Sequence, residues 1–555
     1  MACLGDRLLR VRDTISAVLT ALPDTFNAAT RFVDRNIHEG RGAKVAIECG
    51  DERVTYQQVL DRVNRVGNAL REKLDVRLEE RIMLLLLDTP EFIYSFFGAM
   101  KIGAVPIPTS TLWKPADYGY VLNDSRACVI IVSEQLLPHI DAIPPDRLRH
   151  VREIVVVDDS GRAGPFGPAG GPGHRTLASL MAGASGDLEA EPTSKDDPAF
   201  WLYSSGSTGF PKGCVHLHHD MVVCTELYAK GILGISPDDR CFSVAKLFFA
   251  YGLGNAMYFP FGVGATTILW PGSPAAANVY AVIERHRPTL FYSVPTNYGM
   301  LLAHQRDGAD FDLSSIRYGV SAGEALPPAL FERFKQRFGV EILDGIGSTE
   351  ILHIFISNRP GAIRPGSSGQ IVPGYEARIL DEENRPVPAG DIGNLLIAGD
   401  STCAYYWNRH EKTKETIEGT WIRTGDKYYQ DADGFYWYAG RSDDLLKVGG
   451  IWVSPVEIEN TLIEHASVLE CGVGARTDRD GLMKPYAYVV LRQGSTGTPD
   501  LAAELQQFVR ARLADYKRPR WVEFIAELPK TATGKVQRYK LRERAARASP
   551  TEVMN

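Results

Sequence analysis

Residues Tyr203-Ser204-Ser205-Gly206-Ser207-Thr208-Gly209-Phe210-Pro211-Lys212-Gly213 gather small hydroxyls, glycines and one lysine into a single short loop. Glycines leave backbone N–H groups free to converge on an anion, hydroxyls add donors, and a lysine adds a compact positive charge. The chemistry this combination offers is the holding of phosphate. Lys212 follows Pro211 and precedes Gly213, not the Gly-Lys-Ser/Thr order of a Walker A loop, which argues against a P-loop NTPase. A flexible Ser/Gly linker is the plainer reading, but linkers rarely sit behind an apolar, strand-like run such as Ala199-Phe200-Trp201-Leu202-Tyr203. A second pattern with chemical content is Gly319-Val320-Ser321-Ala322-Gly323, which matches the Gly-x-Ser-x-Gly elbow of serine hydrolases. An elbow needs its helix to start at the serine, whereas Glu324 to Leu326 intervene here before Pro327, a natural first helical residue. Hydrolysis at Ser321 also leaves the phosphate loop without a task.

The elements around these residues alternate. A strand-like run from Arg81 to Leu87 precedes a helical Glu91 to Ile102 and then Val105-Pro106-Ile107, the rhythm of layered α/β structure with mainly parallel sheets. Ser160 to His174 is rich in glycine and proline and reads as a surface loop. After the aromatic hairpin pattern Gly434 to Tyr438 comes a charged turn, Arg441 to Asp444. Beyond it a small α+β unit is expected: strand Leu446 to Val453, helix Pro455 to His465, strands Leu469 to Gly474 and Tyr486 to Leu491, helix Leu501 to Leu513.

With 555 residues, 44% of them apolar, the chain exceeds what one core usually organises, so two or more domains are expected. A net charge of -7 argues against nucleic acid as the main partner. Eight scattered cysteines show neither a disulfide framework nor metal-like spacing, as expected of a reduced, cytoplasmic protein. The apolar run Ile15 to Leu22 follows Asp6 and Asp13, so it reads as an amphipathic surface helix, and no segment is long enough to span a membrane. The basic run Lys517 to Arg520 and the arginines from Arg538 to Arg547 read as solvated faces.

Five segments in order resemble the adenylate-forming superfamily of acyl-CoA synthetases, luciferases and peptide-synthetase adenylation domains. They are Tyr203 to Gly213; Asp344-Gly345-Ile346-Gly347-Ser348-Thr349-Glu350; Trp421 to Asp426; Gly440 to Asp444 running on to Ser454 through Glu459; and Pro529 to Lys535. The resemblance implies an adenylation domain over residues 1–442 and a mobile α+β domain over 443–555, with Asp443 as the hinge. It also implies ATP, Mg2+ and coenzyme A as partners of a monomeric or homodimeric enzyme. Ser204, Ser205, Gly206, Ser207, Thr208, Gly209 and Lys212 would hold phosphates. Gly323, Glu324, Ala325, Asp344 through Thr349, Asp426, Tyr438, Arg441 and Lys447 would complete the nucleotide site. Glu350 suits a hard cation, Asp426 the vicinal ribose hydroxyls, and Arg441 phosphate or ribose oxygens. Lys535 would reach in from the small domain to steady charge as carboxylate attacks the α-phosphate. Lys212, Thr349, Glu350 and Lys535 are the implied catalytic residues, and Gly449 and Gly450 would line the CoA tunnel after the small domain rotates.

Within that superfamily, Lys246 to Asn255, Ser321 to Pro327 and Leu352 to Phe355 look like benzoate-CoA ligases and their hydroxy- and aminobenzoate relatives. This likeness places Tyr228, Ala229, Phe249, Gly323, Gly347, His353 and Ile354 around the acid, where flat aromatic and glycine surfaces can sandwich a ring. A cyclic or aliphatic acid is the alternative substrate. On strand alternation, Phe248 is expected in the core and Phe249 toward substrate. His353 is open to two readings, a bond to a ring substituent or a bond to the backbone.

Overall fold

A computed structural model describes residues 18–19, 21–158, 174–206, 209–308, 310–441, 446–448, 451–478, 483–530 and 536–547. Two sheets organise the larger part. In the first, strands Val105–Pro108, Arg81–Leu85, Val129–Ser133, Glu153–Val157 and Arg175–Thr176 lie side by side and all run parallel. Sequences such as Val-Ile-Ile-Val-Ser suit this place because a parallel sheet is covered on both faces, and every residue of that strand is buried. The covering helix Pro90–Lys101 opens with proline in its first turn, where a missing N–H costs nothing, and buries all but Glu91.

The second sheet has nine strands. Its central members Val45–Cys49, Thr266–Leu269, Arg240–Ser243, Leu290–Ser293, Tyr318–Ser321 (β3) and Ile342–Gly347 (β4) pair in parallel, and antiparallel strands close both edges. One of those edges begins with Ile354–Ser357 (β5), which folds back on β4. Earlier in the chain, Pro198–Gly206 (β1) and Gly209–Leu217 (β2) form an antiparallel hairpin, joined on the other side of β2 by Tyr405–Tyr406 (β6). Trp421–Gln430 (β7) and Tyr436–Arg441 (β8) pair in a separate antiparallel sheet.

The small α+β unit has the expected element order with different bounds. The run expected as one strand from Leu446 to Val453 is two antiparallel strands, Leu446–Val448 and Ile451–Val453. They are followed by helix Pro455–Ile463, strands Val468–Thr477 and Met483–Leu491, helix Pro499–Arg510 and strand Trp521–Phe524. Ser454 caps the first helix by accepting from the Glu457 N–H. The basic runs are partly paired within this unit: Lys517 Nζ lies 2.7 Å from both Glu457 oxygens, and Arg538 grips Glu459. Val18, Leu19 and Leu22 of the N-terminal apolar run pack on the main core. No helix among the described residues is long and apolar enough to cross a membrane. The described cysteines are all buried and free. Residues 161–173 of the Gly/Pro-rich loop and 442–444 of the charged turn lie outside the described residues.

Candidate active site

The phosphate-type loop is the tip of the β1–β2 hairpin, with Gly206 opposite Gly209 and Ser204 opposite Lys212. A P-loop leads from strand into helix; here a second strand follows, so the lysine sits on β2. Gly206 and Gly209 belong to the hairpin ladder by their backbones, Ser205 falls at the register shift between Ser204 and Gly206, and Ser207 and Thr208 lie outside the described residues.

The hairpin meets Glu350. β4 ends at Gly347, and Thr349–Ile351 form a single 3-10 turn immediately after it. Ser204 Oγ donates to Glu350 Oε1 at 3.3 Å, Lys212 Nζ stands 4.0 Å from the same oxygen, and Tyr406 Oη donates to it at 2.8 Å. The backbone of the turn is tied down as well. Cys403 N–H donates to the Glu350 carbonyl at 2.7 Å. His216 Nε2 lies 2.8 Å from the Thr349 carbonyl and its Nδ1 lies 2.7 Å from Asp220 Oδ2, both residues being fully buried. His216, Asp220 and Tyr406 were not among the residues expected from sequence. Tyr406 and His216 stand 56 and 133 positions from the residues they touch, and no local spacing signals either contact.

Leu352 follows at φ 70° and ψ -43°, a backbone conformation that a branched residue adopts only under constraint. The bend it makes turns His353 back toward the helical segments Thr225–Lys230 and Ala250–Tyr258. There His353 Nε2 lies 3.2 Å from the Tyr251 carbonyl and 3.2 Å from Asn255 Oδ1, so this nitrogen is engaged by backbone and side chain. Burial pushes its pKa down to about 3, so the ring is neutral. A proton on Nε2 leaves Nδ1 a buried acceptor without a partner among the described residues. The Tyr228 and Phe259 rings lie 5.4 and 4.4 Å from the imidazole, with Ala229 and Ile354 buried beside them. Gly347 is required here: a Cβ on it would stand 2.7 Å from the His353 carbonyl oxygen.

The strand alternation invoked for Phe248 and Phe249 does not exist. Both lie in a turn that enters the helix Ala250–Leu253, with ring centroids 4.3 Å apart. Phe248 is buried and Phe249 half-buried all the same, because the turn rather than a pleat separates them.

Ser321 ends β3, fully buried and in register with Asp344 of β4. The chain then bends at Gly323, which takes φ +89°, and the next helix starts at Pro328 with Pro327 as its cap, one residue later than expected. No elbow presents Ser321. Within the bend, Glu324 Oε2 accepts from Thr296 Oγ1 at 2.9 Å, and Ala325 leads to Leu326, whose N–H reaches toward Asp344 Oδ2 at 3.5 Å. Burial raises the Asp344 carboxyl to about 8, so its neutral form dominates at pH 7. Gly345 and Ile346 are held in the β4–β5 ladder, with a bulge before Gly347, and Ser348 Oγ is buried without a partner among the described residues.

Asp426 and Arg441 face one another across β7 and β8, with Arg441 Nη1 donating to Asp426 Oδ1 at 3.0 Å. The Asp426 charge pushes the Arg441 pKa up. Gly425, at φ +76°, lets the guanidinium approach, since a Cβ there would stand 2.9 Å from Arg441 Nη2. Tyr438 lies on the same strand with its ring 5.4 Å from Tyr428. Lys447 pairs with Trp452 by its backbone. Asp443, Gly449, Gly450 and Lys535 lie outside the described residues.

The AMP-binding enzyme profile matches residues 33–407, and that of the AMP-binding enzyme C-terminal domain matches 457–535. The chain belongs to the AMP-binding enzyme family. Among its relatives is a benzoate–CoA ligase of Thauera aromatica, 48% identical over 522 residues that cover 94% of this chain and 96% of that protein. A 4-hydroxybenzoate–CoA/benzoate–CoA ligase of Rhodopseudomonas palustris is 44% identical, covering 93% and 94% of the two chains. The crystal structure of an anthranilate CoA ligase in complex with anthranoyl-AMP superposes with a TM-score of 0.89 at 45% identity, over 95% of this chain and 98% of that one. A benzoate CoA ligase from Burkholderia xenovorans LB400 gives 0.84 at 45% identity, over 93% and 100%. The hairpin and the Glu350 turn are joined by the contacts of Ser204, Lys212 and Tyr406 to Glu350, and Asp426 and Arg441 form a separate pair.

Proposed function

We propose that this AMP-binding enzyme activates an aromatic carboxylate, benzoate or a hydroxy- or aminobenzoate, and passes it to coenzyme A. A carboxylate oxygen attacks the α-phosphorus of ATP, the bond to the β-phosphate oxygen breaks, and pyrophosphate leaves with that oxygen. The CoA thiol, losing its proton, then attacks the acyl carbon, and AMP departs with the carboxylate oxygen. The observation that carries this reading is the end-to-end likeness to benzoate–CoA ligases.

The chain's own residues suit the work. The hairpin donors and Lys212 are assigned to the departing phosphates, and Asp426 would offer two acceptor oxygens to a vicinal diol once Arg441 turns to phosphate. Three contacts converge on Glu350 Oε1 and leave Oε2 without one among the described residues. One carboxylate oxygen fits Mg2+, which takes one or two protein ligands beside substrate phosphates, and no larger His, Cys, Asp or Glu cluster is present among the described residues. Glu350 is the residue that would hold the ion, which would neutralise phosphate charge. Tyr228, Ala229, Phe249, Gly323, Gly347, His353 and Ile354 form the slot for the ring, and the neutral His353 offers one acceptor to it.

Residues 443–555 are assigned as the mobile domain. Asp443 falls between the two profile matches and just beyond the end of β8 at Arg441, where a hinge can absorb backbone change. Gly449 and Gly450 are assigned to the CoA tunnel.

The test is product analysis with a panel of acids. Benzoate and its hydroxy and amino derivatives are expected to give aroyl-CoA with equimolar AMP and pyrophosphate, and with higher catalytic efficiency than cyclohexanecarboxylate or acetate. Preference for the non-aromatic acids would move the assignment to the alternative substrates. Ester cleavage abolished by Ser321→Ala, with no thioester from any acid, would replace it with hydrolysis.

A further inference from the structure

Tyr406 touches both charged groups of the phosphate end of the site. Its β6 strand pairs with β2, placing Tyr406 opposite Cys214, two residues beyond Lys212. The side chain is 3% exposed. Its hydroxyl donates to Glu350 Oε1 at 2.8 Å, and Lys212 Nζ stands 4.2 Å from the centre of its ring. One rigid side chain therefore orients an anion by its edge and a cation by its face.

We infer that Tyr406 is a positioning residue that aims Glu350 Oε2 at the nucleotide-bound cation and Lys212 at the departing phosphates. The inference rests on the ligase reading above. The geometry explains why a tyrosine is needed. A carboxylate on a flexible side chain rotates about its last bond, and a hydrogen bond to one oxygen fixes where the other points. Lys212 and Glu350 already form an ion pair at 4.0 Å, and without the tyrosine's contacts to each the two charges are free to close on one another instead of facing substrate. The ring holds the ammonium by its negative face while the hydroxyl occupies the carboxylate oxygen nearest that ammonium. Tyr406 and Lys212 lie on paired strands of the hairpin sheet, and the Glu350 turn is tied by its backbone to Cys403 and His216, which keeps the distances fixed.

Tyr406→Phe removes the hydroxyl and keeps the ring; Tyr406→Leu removes both. Each is compared with wild type by calorimetric titration with an α,β-methylene analogue of ATP, with and without Mg2+, alongside benzoate-dependent pyrophosphate exchange and a melting curve. Tyr406→Phe is expected to lose about tenfold of the affinity for the Mg2+ complex, as for a hydrogen bond to a charged group, while Mg2+-free affinity stays at wild-type level. Tyr406→Leu is expected to weaken Mg2+-free binding as well, by about 3- to 30-fold, as its cation–π contact goes. Wild-type affinities in Tyr406→Phe, or equal losses with and without Mg2+, would overturn the inference. Absence of exchange in the wild-type enzyme with every carboxylate tested would instead overturn the ligase reading beneath it.

Discussion

Replacing Lys535 with alanine is expected to lower carboxylate-dependent pyrophosphate exchange by about a hundred- to a thousandfold, the range found when one preorganised donor is removed from developing charge. Thioester formation from pre-made aroyl-AMP is expected to stay near wild type. The asymmetry follows from the proposed division of labour. Lys535, within the C-terminal domain match, is assigned to the attack on phosphorus, where negative charge on carboxylate and α-phosphate must be brought together. The second half-reaction separates AMP from the acyl carbon and is assigned to a different orientation of that domain. Equal losses in both half-reactions would remove the two-orientation role.

Glu350→Gln is the second large effect. The amide keeps the size and the acceptor that Ser204 and Tyr406 address, but it carries no charge for a hard cation. Pyrophosphate exchange is expected to fall by about a hundredfold or more, and raising Mg2+ should recover part of the loss. The melting temperature should change little, because Glu350 sits in a 3-10 turn whose backbone is held independently by Cys403 and His216. A large drop in melting temperature with unchanged Mg2+ dependence would make Glu350 a structural residue and reassign the cation site.

The two residues differ in how they could be found. Glu350 and the Tyr203–Gly213 loop were legible because their chemistry is local: glycines, hydroxyls and a charge within a few positions. The strand after the loop was not, because Pro211 and Gly213 break the pattern by which β2 would otherwise be read. Phe248 and Phe249 show a right burial for a wrong reason, since a turn and a pleat both separate consecutive side chains. His353 was open between two partners because the groups that engage its Nε2 include a main-chain carbonyl 102 positions away. Tyr406 and His216 were hidden because the groups they touch on the Glu350 turn lie 56 and 133 positions away, and Asp220, four residues from His216, gains meaning only through that histidine. Their roles come from strand pairing and tertiary approach, and a tyrosine or histidine near a strand is ordinarily core.

Of the residues that would touch substrate, Glu350 sits in the turn that follows β4, while Ser204, Lys212, Asp426 and Arg441 sit on strands. Residues that aim them also sit on strands: β2 supplies His216 and β6 supplies Tyr406. Mutations in the second group are expected to act through the first.

The most direct measurement is the fate of oxygen. With benzoate labelled by 18O in its carboxylate, and ATP, Mg2+ and coenzyme A present, each AMP formed is expected to carry one labelled oxygen while pyrophosphate carries none. Attack of the carboxylate on the α-phosphorus and later release of AMP from the acyl carbon require that transfer. Unlabelled AMP, or label appearing in inorganic phosphate, would contradict activation through an acyl adenylate.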